Sequence, residues 1–429
     1  MANELQVRRG TDLQTRQPDE ARELVRLAFE ELAGAVDGLH SIHGSIAGRA
    51  FRPTGVGGAP AHWLHDRVTG AVYGGLKGSA RGIGRAADGA LARRPHVGVR
   101  VVSTTPRGAA VVATINGLIG DTLERRQSPL HQPMALRVHG KPLRTDREAL
   151  ARAYPNATPR LVVFLHGLME TEFSWRWGTR ATGESYGTLL ERELGMTPVY
   201  VRYNSGRHIS ENGQSLADLL EAVVGSWPFP VTEVALVGHS MGGLIARSGA
   251  YRADLERKVW PTLVRQIVSL GTPHMGAPLE QAVHYASAGL NLVPETRPFS
   301  RFLRRRSGGI RDLRQGSLVD EDWRERDPDL LRAEAIAEVP LLSGVTHCFV
   351  TATITRSPRH PLGRLIGDFL VLQPSGSGRS RSRRIAFDEE YGHHVGGANH
   401  FALLNHPAVY DKLRDWLKAN NRRPQLGRG

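Results

Sequence analysis

A single cysteine, Cys348, stands among 429 residues, so no internal disulfide can form. It lies in the apolar run from His347 to Thr353, which reads as a buried strand, and no cationic sequence neighbour marks its thiol as a nucleophile. Aromatic residues make up 6% of the chain, and no uninterrupted apolar run reaches the roughly 18–20 residues that a membrane-spanning helix needs. The stretch from Met1 to Gly10 lacks the apolar segment and small-residue cleavage site of a secretory signal, so the expected location is cytoplasmic. No H-E-x-x-H, phosphate-binding loop or dinucleotide fingerprint occurs, and neither a metal nor an organic cofactor is expected.

Negative charge is also scarce. Lys and Arg number 56 against 42 Asp and Glu, a formal net charge of +14. Arginines cluster at Arg304–Arg306, between Arg379 and Arg384, and at Arg422–Arg423, whereas residues 160–300 mix both signs. A solvated basic surface accounts for this; the functional reading is peripheral contact with an anionic membrane. Zinc-finger spacing, RNP-like aromatic strands and heptad-linked basic helices are missing, so nucleic acid is not expected as a partner.

What is present divides the chain at about residue 150. Residues 1–150 read as a helix-rich N-terminal extension. In it, Leu24, Leu27, Ala28, Leu32, Val36, Leu39, Ile42 and Ile46 recur at helical spacing. A second segment sets Gly70, Gly74, Gly78 and Gly82 four residues apart, a smooth helical face that needs a packing partner to offset the low helix propensity of glycine. Residues 151–420 read as one catalytic domain, and 421–429 as a basic tail. From Leu161 onward, short apolar strands alternate with helical stretches, the pattern of a mostly parallel sheet with crossover helices. The strand candidates are Leu161–Leu165, Pro198–Tyr203, Val234–Val237, Gln266–Leu270 and His347–Thr353. The arginine-bearing stretch 275–345 reads as a helical cap insertion between the last two, and the Gly/Ser/Arg run from Gly376 to Arg384 as a flexible loop.

The strongest motif is the strand Val234–Val237 followed by Gly238-His239-Ser240-Met241-Gly242-Gly243 and a helix-compatible run through Arg247. This is a nucleophile elbow in its strand–turn–helix setting. The flanking glycines allow a turn too tight for side chains, and Ser240 is lifted clear of the sheet as the candidate nucleophile. A serine hydroxyl needs a histidine base and a carboxylate to orient the imidazole, and on this arrangement both lie downstream, acid first. His400, in a small-residue loop before a helix through Tyr410–Leu417, is the candidate base, with His393, His394 and His406 as competitors. Asp368, in the loop after the His347–Thr353 strand, is the candidate acid, with Asp388 as its rival. Oxyanion donors are expected from the backbone N–H of Met241 and from that of Leu168, in the loop after Leu165.

These stretches, together with His166-Gly167-Leu168, Tyr203-Asn-Ser-Gly-Arg207 and Ser269-Leu-Gly-Thr-Pro-His274, resemble the α/β-hydrolase lipases and esterases, near the bacterial lipases and the GPI inositol-deacylase-like lipases. The resemblance spans about Leu161 to Leu417. It implies an α/β-hydrolase fold, a Ser240–His400–Asp368 triad and a substrate that is a carboxylic ester, in particular a lipid acyl ester. The same triad serves thioester, amide and acyl-transfer chemistry, and a hydrolase-fold lipid-binding protein without activity is the non-enzymatic reading.

Overall fold

The computed structural model describes residue 20, residues 22–30, scattered positions between 59 and 85, and then 102–277, 306–326, 336–357, 360–380 and 383–419. Most of the 275–345 insertion therefore lies outside the described residues, as do much of the first helical segment and the basic tail. The chain divides into two compact units. One comprises Met1–Val102, Arg126–Leu130 and Ala282–Arg306. In it residues 22–30 are helical, with Arg26 paired to Glu23 and, at 2.6 Å, to Glu30. Gly70, Gly74, Gly78 and Gly82 are helical too, and a Cβ added at any of them would meet nothing within 4 Å, so close packing does not use this face among the described residues.

The other unit, Ser103–Arg125, His131–Gln281 and Ser307–Gly429, is built on an eight-stranded sheet. Its strands are β1 (Ala135–Val138), β2 (Lys141–Leu143), β3 (Arg160–Leu165), β4 (Thr197–Arg202), β5 (Glu233–His239), β6 (Val264–Leu270), β7 (Thr346–Thr353) and β8 (Gly392–Gly396). The spatial order is β2-β1-β4-β3-β5-β6-β7-β8. All neighbours from β4 to β8 are parallel; the β1–β2 hairpin is antiparallel and pairs antiparallel with β4. The sheet is thus mostly parallel, as the alternation of strands and helices predicts. The five predicted strands are β3 to β7. The hairpin and β8 are strands the sequence reading did not anticipate.

Both faces of the sheet are covered, which is why the central strands read as continuous apolar runs. Side chains alternate between the faces. Leu161, Val163 and Leu165 of β3 enter one core with Leu216, Leu220 and Val223 of a helix at Ile209–Ser226, while Val162 and Phe164 enter the other with Leu189, Leu190, Leu413 and Leu417. The longer helices are α1 (Pro106–Arg125, kinked at Ile119), α2 (Arg147–Ala153), α3 (Tyr186–Leu194), α4 (Ile209–Ser226), α5 (Met241–Leu255) and α6 (Pro407–Ala419). Local chemistry sets several ends. Asp146 caps α2 by accepting the Ala149 N–H at 2.9 Å, and Gly195 closes α3 in the left-handed region, φ 61°.

Helix α1 packs against the loop that follows β4. A Cβ on Gly120 would lie 1.9 Å from Asn204 Oδ1, and Asn204 Nδ2 donates to the Gly120 carbonyl at 2.8 Å. Where β4 ends, Arg202 forms a buried two-pronged ion pair with Glu172, both bonds 2.6 Å, and also donates to the Ser103 carbonyl. This contact fixes the segment after β3 against the next strand. The run from Gly376 to Arg384 is held rather than loose in its described part: Gln373–Gly376 is a helical turn, and Arg383 donates to the His274 carbonyl at 2.8 Å.

Candidate active site

Because β3, β5, β7 and β8 are parallel, the loops leaving their C-terminal ends gather along one edge of the sheet. Ser240 follows β5 directly and caps α5 with φ 54° and ψ −123°, a conformation that costs a non-glycine residue roughly 1–3 kcal/mol. The neighbouring glycines are needed for space. A Cβ on Gly242 would lie 2.3 Å from the Leu165 carbonyl oxygen, and one on Gly238 2.4 Å from the Gly242 backbone. The Ser240 N–H donates to the Leu270 carbonyl at 2.8 Å, anchoring the turn to β6.

Asp368 and His400, 32 residues apart in sequence, meet here. Both are buried, and His400 Nδ1 lies 2.8 Å from Asp368 Oδ2. The other carboxylate oxygen accepts the backbone N–H groups of Leu370 and Val371 at 3.0 and 2.7 Å, so the acid is oriented by its own loop. That loop turns through Gly367 (φ 63°) and Phe369 (φ 83°), and the Asp368 carbonyl accepts the His400 N–H at 3.1 Å. The far ring nitrogen, His400 Nε2, is buried without a hydrogen-bond partner among the described residues. The ring lies beside that of His239, centroids 4.8 Å apart, and a Cβ on Gly271 would meet His400 Cε1 at 3.0 Å. His400 thus sits next to the residues that precede Ser240 and follow Leu270.

Of the competing residues, Asp388 and His394 are engaged elsewhere by their side chains, and His406 is held through its backbone. Asp388 is exposed and caps a short turn through the Glu390 N–H at 3.0 Å. His394, on β8, lies 3.1 Å from the hydroxyls of both Thr351 and Thr353. The backbone N–H of His406 donates to the Tyr186 hydroxyl at 2.7 Å. Leu168, the expected oxyanion donor, lies in the turn after β3; its N–H makes no hydrogen bond among the described residues, while Met169 N–H is taken by Ser205 Oγ at 3.0 Å. Met241 opens α5, where the first N–H groups have no partner within the helix.

Two buried groups under this edge were not singled out from the sequence. Glu170 receives the Gly167 N–H at 2.8 Å and pairs with His239 Nδ1 at 2.9 Å. His239 Nε2 in turn lies 3.3 Å from the His400 carbonyl. Since a carbonyl only accepts, both ring nitrogens of His239 donate, which suits an imidazolium. Burial alone would push His239 down and Glu170 up; their mutual attraction outweighs it, holding His239 above its usual range and Glu170 at about 2. His166 is the opposite case. Burial lowers it to about 4, its Nε2 accepts the Tyr203 N–H at 3.2 Å, and its ring stacks on Tyr203 at 4.1 Å. No signal in the sequence separates these two histidines, each beside a glycine; the difference is the carboxylate of Glu170. Among the described residues no group of three or more His, Cys, Asp or Glu is placed to hold a metal ion.

Residues 160–299 match the family described as PGAP1-like alpha/beta domain. No curated protein matches the chain in sequence. Solved structures similar to it include a lipase-esterase related protein from Clostridium acetobutylicum, 14% identical over 61% of this chain and 96% of that one, TM-score 0.32. Naproxen esterase from Bacillus subtilis is 14% identical over 60% and 83%, TM-score 0.32, and an esterase from Pyrococcus furiosus is 13% identical over 62% and 84%, TM-score 0.34. By its sheet and its elbow the chain has the α/β-hydrolase fold, and over residues 160–299 it is similar to the PGAP1-like alpha/beta domain family.

Proposed function

We propose that the protein hydrolyses carboxylic esters through an acyl-enzyme on Ser240. The observation that carries this reading is the buried Asp368–His400 pair, whose outer nitrogen, His400 Nε2, is left unpaired beside the elbow. In the reaction Ser240 Oγ adds to the ester carbonyl and gives its proton to His400 Nε2. The carbon–oxygen bond to the alcohol then breaks, and the departing alkoxide takes that proton. Water repeats the sequence, releasing the acid and restoring Ser240. Asp368 holds the imidazole in the tautomer with Nδ1 protonated and stabilises the imidazolium. The N–H groups of Leu168 and Met241 receive the developing oxyanion, each such donor contributing about 3 kcal/mol in comparable sites.

A lipid acyl ester as substrate is supported by aromatic rings beside this machinery. Phe369 follows the acid and is 61% exposed; Phe401 follows the base and is 47% exposed. Trp177, 46% exposed, meets Phe401 edge to face at 5.9 Å. Apolar rings left in solvent next to a reacting group suit an acyl chain, or the bilayer surface that carries it. A fluorophosphonate should label Ser240, and Ser240→Ala should lose up to about 10⁶-fold in turnover on nitrophenyl esters of graded chain length. Undiminished turnover in Ser240→Ala, with no label on Ser240 in folded protein, would remove the proposal.

A further inference from the structure

Seven residues beyond Ser240, about 10 Å along α5, the helix carries a second buried polar group. Arg247 is 5% exposed. Its Nη2 donates to the Val339 carbonyl at 3.1 Å, Nη1 lies 3.4 Å from His274 Nδ1, and Nε is buried with no partner among the described residues. The guanidinium faces the Phe387 ring at 5.7 Å, and no carboxylate lies within pairing distance of it among the described residues. Arg383 also meets His274. It donates to the carbonyls of His274 at 2.8 Å and Gln315 at 3.3 Å, again without a paired carboxylate among the described residues. Asp322 and Glu338 attract it only at longer range. The Asp322 carboxylate is already taken by the N–H groups of Leu318, Val319 and Ala337.

Arg247 and Arg383 line a cavity of about 270 Å³ together with Arg384, Leu341, Ile385 and the exposed Glu338. Arg384 is exposed and lies 3.6 Å from Glu389, whereas Glu338 pairs with none of these arginines among the described residues, which leaves Arg247 and Arg383 as the unpaired charges of the cavity. Burial, and then Arg383, lowers Arg247 to about 10, so it keeps its proton at neutral pH. The same burial, then the neighbouring arginines and His347, holds His274 well below the usual histidine range, so the ring adds no charge of its own. Removing a guanidinium from water without a counter-charge is unfavourable unless an anion joins it.

We propose that this cavity binds a phosphoryl group carried on an apolar skeleton, with Arg247 and Arg383 as its counter-charges. Two guanidiniums converging on His274 from different elements suit the several oxygens of a phosphoryl group. The apolar walls at Leu341 and Ile385 leave room for attached carbon that inorganic phosphate would not fill. The inference is independent of the ester chemistry assigned to Ser240.

Calorimetric titration and thermal unfolding of the full chain test it, with octyl phosphate, inorganic phosphate and octanoate as probes. Octyl phosphate should bind saturably and raise Tm by a few degrees when present at about 100 times its Kd. Arg247→Met and Arg383→Gln should each weaken that binding at least about tenfold. Without ligand, Arg247→Met should keep or raise Tm, since it replaces an uncompensated buried charge with an apolar chain of similar length. Binding that survives in a folded Arg383→Gln, or a fall in Tm for Arg247→Met with octyl phosphate affinity unchanged, would make the cluster a structural staple and overturn the site. Failure of the wild type to bind octyl phosphate would do the same. Inorganic phosphate binding as tightly as octyl phosphate would overturn the apolar part, and octanoate binding as tightly would overturn the phosphoryl assignment. Sedimentation with phosphatidylcholine vesicles then separates the sources. Capture that requires phosphatidic acid and Arg383 supports a lipid head group, and octyl phosphate binding without capture supports a soluble organic phosphate.

Discussion

Asp368, in the apolar run Ile366-Gly-Asp-Phe-Leu370, and Asp388, in the acidic run Phe387-Asp-Glu-Glu390, lie in very different surroundings. One is buried, with both carboxylate oxygens engaged, the second by His400; the other caps an exposed turn. Asp368→Asn should leave near-UV circular dichroism unchanged and reduce ester turnover by up to about 10⁴-fold, because the asparagine amide cannot hold the protonated Nδ1 in the same way. Asp388→Asn should change turnover little and cost no more than a helix cap does, about 1 kcal/mol. The reverse ranking in steady-state assays would move the acid to residue 388. At this scale the elbow was legible because it is local: the spacing of Gly238, Gly242 and Gly243 records a turn with no room for Cβ atoms. The Glu170–His239 pair was not legible, since the contact joins residues 69 apart and only the side-by-side placement of β3 and β5 brings it about.

Among elements, α1 decides how the turn after β3 is backed. Gly117 faces Met169, where a Cβ would lie 2.3 Å from Cγ, and Gly120 faces Asn204. Gly120→Ala should therefore destabilise the protein despite the better helix propensity of alanine, by about 1–3 kcal/mol for overpacking less about 1 kcal/mol gained in propensity. Gly225→Ala, near the end of α4 with nothing within 4 Å of the new Cβ, should stabilise by up to about 1 kcal/mol. Urea unfolding of the two variants checks the opposite signs; equal shifts would mean that α1 gives way at no cost. The strands β3 to β7 were legible as apolar runs because both faces of the sheet are covered. The hairpin β1–β2 was not, for its strands are four and three residues long and carry Arg137 and Lys141. Nor was β8, Gly392-His-His-Val-Gly396, an edge strand with one well-buried side chain, Val395.

For the molecule as a whole, the Glu170–His239 pair ties the turn after β3 to the loop that carries His400, across the sheet from one another. Its contribution to stability has a pH window that follows from the shifts. His239 is raised above its ordinary 6.5, so its part is fully present below 6.5 and is lost as pH rises through the higher folded value. Glu170 is lowered from 4.5 to about 2, so its part is fully present above 4.5 and is lost as pH falls toward 2. The stability difference between wild type and Glu170→Gln, measured by urea unfolding across pH, should be largest between about 4.5 and 6.5, where breaking a buried pair costs about 3–5 kcal/mol, and should shrink on both sides. A difference that stays constant across pH would show that the pair is neutral. The sequence by itself determined the runs that form β3 to β7, the turn at Ser240 and the chain order of the candidate acid and base, because each rests on spacing between near neighbours. Only the tertiary structure decided which carboxylate meets His400, which histidine is held above its usual range, and that Arg247 is buried without a carboxylate partner among the described residues. Those outcomes depend on burial and on charges brought close by strands that lie far apart along the chain.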